Sequence, residues 1–302
     1  MTDSEPEINL EAYAKVNLTL EIFGRRSDGY HDLRSILMPV SLTDTVSLSS
    51  APVGEITLIV SAEKWIDMKR LGPVEKNLAV RVVRLMQQRY KLGRGVKIRI
   101  HKRIPIGGGM GGGSADAAAV IHGLNRLWGL DLTVEELSCL AADLGSDIPA
   151  LILSAAAVAE GRGERVKPLF EEPLLCPVKH MWLVIANPGI MCSTERIFRN
   201  WRADLTNSPE IINNIRPHIQ NGNVNAVADL LYNGLEETVF ALCPQVADAA
   251  HMLKAAGCLG VLLSGSGASV FGMASSKSHA EAVSRRLPDG LWHRIVRTCP
   301  VV

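Results

Sequence analysis

Residues 107 to 113 read Gly-Gly-Gly-Met-Gly-Gly-Gly, six glycines in seven positions, and a helix-forming run that begins Ser114-Ala115-Asp116-Ala117-Ala118-Ala119 follows at once. Glycine lets the backbone take positive φ and approach a ligand closely. The helix behind it directs unpaired N–H groups and a partial positive charge toward whatever the loop holds. Upstream, Val96, Ile98 and Ile100 alternate with Lys97, Arg99 and His101, the pattern of a half-buried strand. Downstream, Ala117, Val120, Ile121, Leu124, Leu127 and Trp128 recur at helical spacing. Strand, glycine loop and helix together predict an anion site suited to phosphate. A flexible linker would have neither flank.

The two familiar phosphate loops do not fit. A P-loop places Lys before its Ser or Thr, whereas Ser114 follows Gly113 directly. Gly107, Gly109 and Gly112 match the spacing of a dinucleotide fingerprint, but so dense a glycine run matches many spacings.

A chain of 302 residues can bury one large core or two ordinary ones. A net charge of +1 and a pI near 7.7 argue against a nucleic-acid partner held by bulk charge. Ile148 to Ala159, the longest uncharged apolar stretch, is too short to span a bilayer, and the opening Met-Thr-Asp-Ser-Glu-Pro-Glu is unlike a targeting peptide. A cytoplasmic protein without a membrane partner is expected. Cys139, Cys176, Cys192, Cys243, Cys258 and Cys299 are scattered, so reduced, buried thiols are expected rather than zinc or disulfides.

Residues 13 to 23 alternate as a strand, with Val16, Leu18, Leu20 and Ile22 on one face and Lys15, Asn17, Thr19 and Glu21 on the other. Asp44–Leu48 and Glu55–Val60 read as strands, and residues 75 to 90 as a helix with Leu78, Val82, Leu85 and Met86 inward. Thr133 and Glu136 form a capping box opening a helix that ends at Gly145. The second half reads β-α-β-β-α-β, a split βαβ sandwich, with helices inserted between residues 193 and 240. A boundary near residue 165 follows, hinged at Arg162-Gly163-Glu164 and the stretch from Lys167 to Pro177. Two α+β domains, 1–165 and 166–302, would leave a cleft for a ligand.

Asp147, in Gly145-Ser146-Asp147-Ile148-Pro149, reads as a helix N-cap or a catalytic carboxylate. Lys15 reads as a solvated edge charge or a functional cation. Ser264-Gly265-Ser266-Gly267-Ala268 links two strands as a hairpin, and its alternating glycines and hydroxyls also suit an anion nest.

Tyr13-Ala14-Lys15-Val16-Asn17-Leu18, the glycine loop with Ser114, Gly145-Ser146-Asp147-Ile148-Pro149 and Ser264-Gly265-Ser266-Gly267-Ala268 together resemble the three motifs of the GHMP kinases. Within that superfamily Gly24-Arg25-Arg26-Ser27-Asp28-Gly29-Tyr30-His31-Asp32-Leu33 resembles the segment that marks the 4-diphosphocytidyl-2-C-methyl-D-erythritol kinases. Asn77-Leu78-Ala79, Gly161-Arg162-Gly163-Glu164 and Ser193-Thr194-Glu195-Arg196-Ile197-Phe198 support it, in the family's order over nearly the whole chain. The resemblance implies a two-domain α+β fold. Its N-terminal, ATP-binding α/β domain is of the ribosomal-S5-domain-2-like kind, its C-terminal domain is a ferredoxin-like split βαβ, and the active site lies in the cleft between them.

It also implies ATP as phosphoryl donor, Mg²⁺, and a cytidine diphosphate methylerythritol as small-molecule acceptor, in a monomer or weak homodimer. Phosphoryl transfer asks for alignment and charge stabilisation more than covalent help. By motif position, Asp147 accepts the acceptor hydroxyl's proton while Lys15 keeps it ionised and faces the developing charge. Pro105, Gly107, Gly108, Gly109, Gly111, Gly112, Gly113 and Ser114 hold the ATP phosphates, with Asn77 and Leu78 near the adenine. Tyr30, His31 and Phe198 take the cytosine. Asn17 and Thr194 reach the sugar or diphosphate, and Ser264, Gly265, Ser266 and Gly267 complete the acceptor site. Ser114 is the loop's one hydroxyl for the metal, which would be held chiefly by the phosphates. Another acceptor, such as homoserine, mevalonate or a sugar, or a sensor that binds nucleotide without turnover, is the alternative. Two departures stand out: Ser154-Ala155-Ala156-Ala157 replaces a glycine-containing stretch, and Leu37 an aromatic sometimes found near the cytosine.

Overall fold

The structure, a computed structural model, describes residues 7–170, 178–202 and 211–299. Cys176, residues 171–177 of the expected hinge and the first six residues lie outside them. The chain forms two compact units interleaved in sequence. One comprises residues 1–14, 42–106 and 111–153, the other residues 15–41, 107–110 and 154–302. A single cut at residue 165 therefore does not separate them. Strands β1 (Ile8–Arg25) and β2 (His31–Ala51) contribute residues to both.

In the first unit the end of β2 pairs antiparallel with β4 (Gly95–Lys102), Thr45 opposite His101 through Ala51 opposite Gly95. β3 (Ile56–Ala62) pairs parallel with β4. Parallel neighbours need a crossover, and α1 (Leu78–Tyr90) supplies it. This helix starts three residues later than its apolar periodicity predicts, because the side chain of Asn77 caps it by accepting from the backbone N–H of Ala79 at 2.9 Å. Val82 and Met86 are buried on it, as expected, while Leu78 and Leu85 are only half-buried. α2 (Gly112–Trp128), α3 (Val134–Ala142) and α4 (Ile148–Ile152) complete the unit, and the expected capping box opens α3. Val46, Leu48, Ile98, Ile100, Val82, Met86, Ile121 and Leu124 share its core.

In the second unit β2 pairs with β5 (Ala157–Gly161), which folds back on β6 (Arg165–Pro168) with Glu160 opposite Arg165. Residues 162–164 are thus a hairpin turn inside one unit and not a hinge. The unit continues through β7 (Trp182–Asn187), α5 (Thr194–Asn200), α6 (Ile211–Asn221), α7 (Val224–Asp229), β8 (Tyr232–Asn233), α8 (Glu236–Leu242), α9 (Pro244–Ala255), β9 (Val261–Leu263), β10 (Val270–Ala274), α10 (Lys277–Ser284) and β11 (Trp292–Arg297). β11, β7, β10 and β9 form a sheet in that order with every neighbouring pair antiparallel, the split βαβ arrangement expected. α9 and α10 bury Val246, Leu253, Ala280 and Val283 in a core shared with Val184, Leu263 and Val270. β8 adds a two-residue parallel pairing to β1, Thr19 opposite Tyr232 and Leu20 opposite Asn233.

The expected polar face of β1 is not solvated. Lys15, Asn17, Thr19 and Glu21 are all buried. Alternation reports which residues share a face but not what covers the polar one.

A buried ionic cluster ties the first unit together. The ammonium of Lys102, last residue of β4, pairs with the carboxylates of Asp44 on β2 and of Asp116 near the start of α2, the latter at 2.6 Å. Asp44 also accepts from the backbone N–H groups of Arg103 and Ile104. Burial alone would disfavour the charge on Lys102, but Asp116 and Asp44 outweigh it and raise its pKa. Removing the one cation would strand two carboxylates in the core. Lys102→Met is expected to cost about 3–5 kcal/mol, read as a drop in the urea midpoint. Lys102→Met with Asp44→Asn and Asp116→Asn should recover much of it.

Candidate active site

Lys15 sits near the middle of β1 with its backbone N–H bonded to the carbonyl of Met110 at 3.1 Å. Its ammonium donates to Asn17 Oδ1 at 2.7 Å and to the carbonyl of Gly109 at 3.0 Å. Asn17 Nδ2 in turn donates to Ser35 Oγ, which donates to the carbonyl of Thr19. The ammonium is therefore fixed at the head of a buried hydrogen-bond relay through Asn17 and Ser35.

Gly109 accepts a second bond on the same carbonyl, from Ser264 Oγ at 3.1 Å. Its φ is +75°, and a Cβ there would collide with the carbonyl oxygen of Ser264, so only glycine fits. The backbone N–H of Ser269 donates to the carbonyl of Gly108 at 2.9 Å. The second unit thus brings together Lys15, Asn17, Gly108, Gly109, Ser264 and Gly265, residues that three separate motifs supply. Thr194 Oγ1 and Ser266 Oγ lie 2.8 Å apart, which joins the start of α5 to the same loop.

The aromatic residues form a second group in that unit. His31 is 9% exposed, its ring 5.1 Å from that of Phe198 and 5.3 Å from Trp201, the latter edge-on. Tyr30 stands apart, 55% exposed, with the guanidinium of Arg162 4.9 Å from its ring centroid. His31 and Phe198 are thus direct neighbours. Tyr30 does not stack with them.

In the first unit Gly111, at φ +69°, leads into α2, where Gly112, Gly113 and Ser114 form the first turn. A Cβ on Gly113 would lie 3.8 Å from Leu78 Cδ1, so this end of the loop lies beside Leu78 and the helix that Asn77 caps. Pro105 is buried before the loop and Gly107, at φ +68°, is exposed. Asp147 is half-buried at the N-cap position of α4, yet its side chain makes no capping bond. Capping therefore does not account for it. Among the described residues no group of three or more His, Cys, Asp or Glu is placed to hold a metal.

Three contributors escaped the sequence reading. Trp201 packs its ring on His31 and anchors its indole N–H on the carbonyl of Gly234 at 3.0 Å. Asn233, buried, donates from Nδ2 to the carbonyls of Leu263 and Gly265 at 2.9 and 2.8 Å, and accepts from the N–H of Leu235. Glu236 accepts from the N–H of Leu263 at 2.9 Å. Together the Asn233 and Glu236 side chains clamp the strand end and loop that carry Ser264. The sequence signal was only a polar Asn before an apolar helix.

Comparison with known proteins decides the family. Residues 77–155 match the GHMP kinases N terminal domain and residues 215–291 the GHMP kinases C terminal domain. A 4-diphosphocytidyl-2-C-methyl-D-erythritol kinase of Symbiobacterium thermophilum is 38% identical over 283 residues, 93% of this chain and 95% of that protein. The chain belongs to the 4-diphosphocytidyl-2-C-methyl-D-erythritol kinase family. The Gloeobacter violaceus member is 40% identical over 91% of this chain and 88% of its own length. A crystal structure of 4-(cytidine 5'-diphospho)-2C-methyl-D-erythritol kinase superposes with a TM-score of 0.75 at 30% identity, covering 96% of this chain and 99% of that one. A homoserine kinase of Cytophaga hutchinsonii reaches 0.71 at 15% identity and shares the fold. As a member of this GHMP kinase family the protein is an ATP-dependent kinase, and among its described residues no helix is long and apolar enough to cross a membrane.

Two predictions follow from these contacts. Asn233→Asp turns a donor that faces two carbonyls into a carboxylate; the expected cost is about 1–3 kcal/mol, with a loss of turnover that persists well below the melting temperature. Equal turnover by the folded variant would show that the clamp does not shape the loop. Burial, and then the charge of Arg25, hold His31 below its ordinary value of 6.5. Burial likewise lowers His122, against the opposing effect of its bond to the Ile152 carbonyl. Both rings bind protons less readily when native, so their contribution is complete above about pH 6.5 and is lost as pH falls through the lower native values. The urea midpoint should therefore drop below about pH 6.5, and His122→Gln should flatten that drop.

Proposed function

We propose that this kinase transfers the γ-phosphoryl group of ATP to the 2-hydroxyl of 4-diphosphocytidyl-2-C-methyl-D-erythritol. The products are the 2-phosphate and ADP, in the non-mevalonate route to isoprenoid precursors. The observation that carries the acceptor is the His31, Phe198 and Trp201 cluster, in a chain whose relatives at 38–40% identity bear that enzyme's name. Aromatic faces with few directional bonds suit an uncharged base, and a small aliphatic alcohol has no use for them.

In this reading Asp147 accepts the proton of the 2-hydroxyl as it attacks. Lys15, its ammonium fixed by Asn17 and Gly109, faces the charge that develops on the transferred group. The backbone N–H groups of Gly107 to Ser114 and the start of α2 hold the ATP phosphates, following Pro105, while Asn77 and Leu78 flank the adenine. Tyr30, His31 and Phe198 take the cytosine. Asn17, Thr194 and Ser264 to Gly267 reach the remainder of the acceptor. Mg²⁺ would be held by the phosphates with Ser114 as the loop hydroxyl, and it would neutralise phosphate charge. The same reading carries a cytoplasmic enzyme, monomeric or weakly dimeric, whose family domains divide in sequence near residue 165 although its compact units interleave.

The test is ADP release from Mg-ATP with and without that acceptor, with Asp147→Asn alongside. Release should depend on the acceptor, and the variant should lose about 10²–10⁴-fold in turnover while still binding ATP. Turnover retained by Asp147→Asn would remove the proposed base. Release with homoserine or mevalonate instead would move the acceptor assignment.

A further inference from the structure

Cys192 and Cys243 are separated by 51 positions in sequence, and their sulfurs lie 3.4 Å apart, Cys192 Sγ–H pointing at Cys243 Sγ. Neither belongs to any motif of the site. Cys192 nevertheless sits against it, with Cys243 behind. Cys192 immediately precedes Ser193, whose side chain caps α5 by accepting from the N–H of Arg196, and α5 carries Thr194 and Phe198. A Cβ on Gly267 would lie 3.4 Å from Cys192 Sγ and 3.4 Å from Val239 Cγ1. Cys243 joins α8 to α9, and its N–H is bonded to the carbonyl of Val239 at 2.8 Å. Cys192 Sγ therefore lies against the Ser264 to Gly267 loop, with Cys243 Sγ beside it.

We propose that Cys192 and Cys243 form a dithiol modification site that a low-molecular-weight disulfide converts to an internal disulfide, altering how α5 and the adjoining loop receive the acceptor. Already in contact, the sulfurs need only a small approach to bond. Cys243 is half-buried and Cys192 is 7% exposed, so the reagent enters at Cys243. Burial, and next the neighbouring thiol, push Cys192 up to about 12, which keeps it protonated and makes it the resolving partner. The thiolate of Cys243 attacks one sulfur of the reagent, forming a mixed disulfide and expelling one thiolate. Cys192 then gives its proton to solvent and attacks the Cys243 sulfur, forming the internal bond and releasing the second thiolate. The protein dithiol is oxidised and the reagent is reduced to two thiols.

The effect on the acceptor rests on the proposed reading; formation of the bond does not. Exposed Cys139, and Cys176, which lies outside the described residues, are first replaced by Ser so that neither competes for the reagent. The full chain is then incubated with oxidised glutathione and mapped by peptide mass spectrometry without reduction. The expected result is a peptide pair joined through Cys192 and Cys243, a severalfold rise in the acceptor KM with the ATP KM unchanged, and reversal of both by dithiothreitol. Cys243→Ser and, separately, Cys192→Ala should keep the reduced kinetics and lose the response. Persistence of both thiols, or glutathione stalled on Cys243, overturns the site. An internal bond that leaves the acceptor KM unchanged overturns its link to the loop. If the acceptor assignment itself fails, wild-type enzyme shows no acceptor-dependent ADP release under reducing conditions, while the mass result stands or falls alone.

Discussion

One carbonyl oxygen, that of Gly109, accepts from both the Lys15 ammonium and the Ser264 hydroxyl. An ammonium taken out of water needs compensating dipoles, or it gives up its charge. Lys15 finds them in Asn17 Oδ1 and in this carbonyl, and Asn17 is fixed in turn by Ser35. The carbonyl can be there only because residue 109 lacks a side chain and takes positive φ. The glycines thus serve a close fit of backbone to backbone as much as room for a ligand. That explains why the second loop, with Gly265 at φ +57° and Gly267 at φ +82°, is glycine-rich as well.

The two ends of the glycine loop are secured by different physics. At Gly109 a backbone carbonyl accepts from one ammonium and one hydroxyl. Beyond Gly111, the start of α2 is pinned by the buried pairing of Lys102 with Asp44 and Asp116. A buried ion pair adds little net stability over apolar packing, yet it is costly to break. Such a cluster therefore fixes position more than it adds energy, which is what a helix N-terminus aimed at an anion requires. The Asn233 and Glu236 clamp does the same for the Ser264 loop with neutral and singly charged hydrogen bonds.

Local periodicity carried much of the architecture. The alternation around Val96 to Ile100, the capping box at Thr133 and the β-α-β-β-α-β order after residue 181 all correspond to elements of the structure. The motif residues met as well where one unit holds them, Lys15 with Gly109 and Ser264, and His31 with Phe198. What stayed hidden depends on pairing between distant segments. Lys102 and Asp44 are 58 positions apart, and nothing near either announces the other. Lys15 looked like an edge charge because a strand's pattern does not reveal its cover. The Arg162 turn looked like a hinge because glycine marks tight hairpins and flexible joints alike. Asn233 is legible only once β9 is in place, since its partners are backbone carbonyls.

The interleaving of the units has a consequence for synthesis. Pro39 accepts a hydrogen bond from the N–H of Cys299, Ser41 Oγ from the N–H of Arg297, and Val40 bridges to Thr298. The segment holding Lys15, Asn17 and His31 thus shares a unit whose last strand ends at Arg297. A chain emerging from the ribosome carries residues 15–41 early, but their closing partners come almost last. Contacts of such long sequence separation form slowly, because loop entropy must be overcome before they contribute. The buried polar side chains of β1 therefore wait, unfinished, through nearly the whole of translation, a period of exposure in which chaperones or slow local structure must guard them.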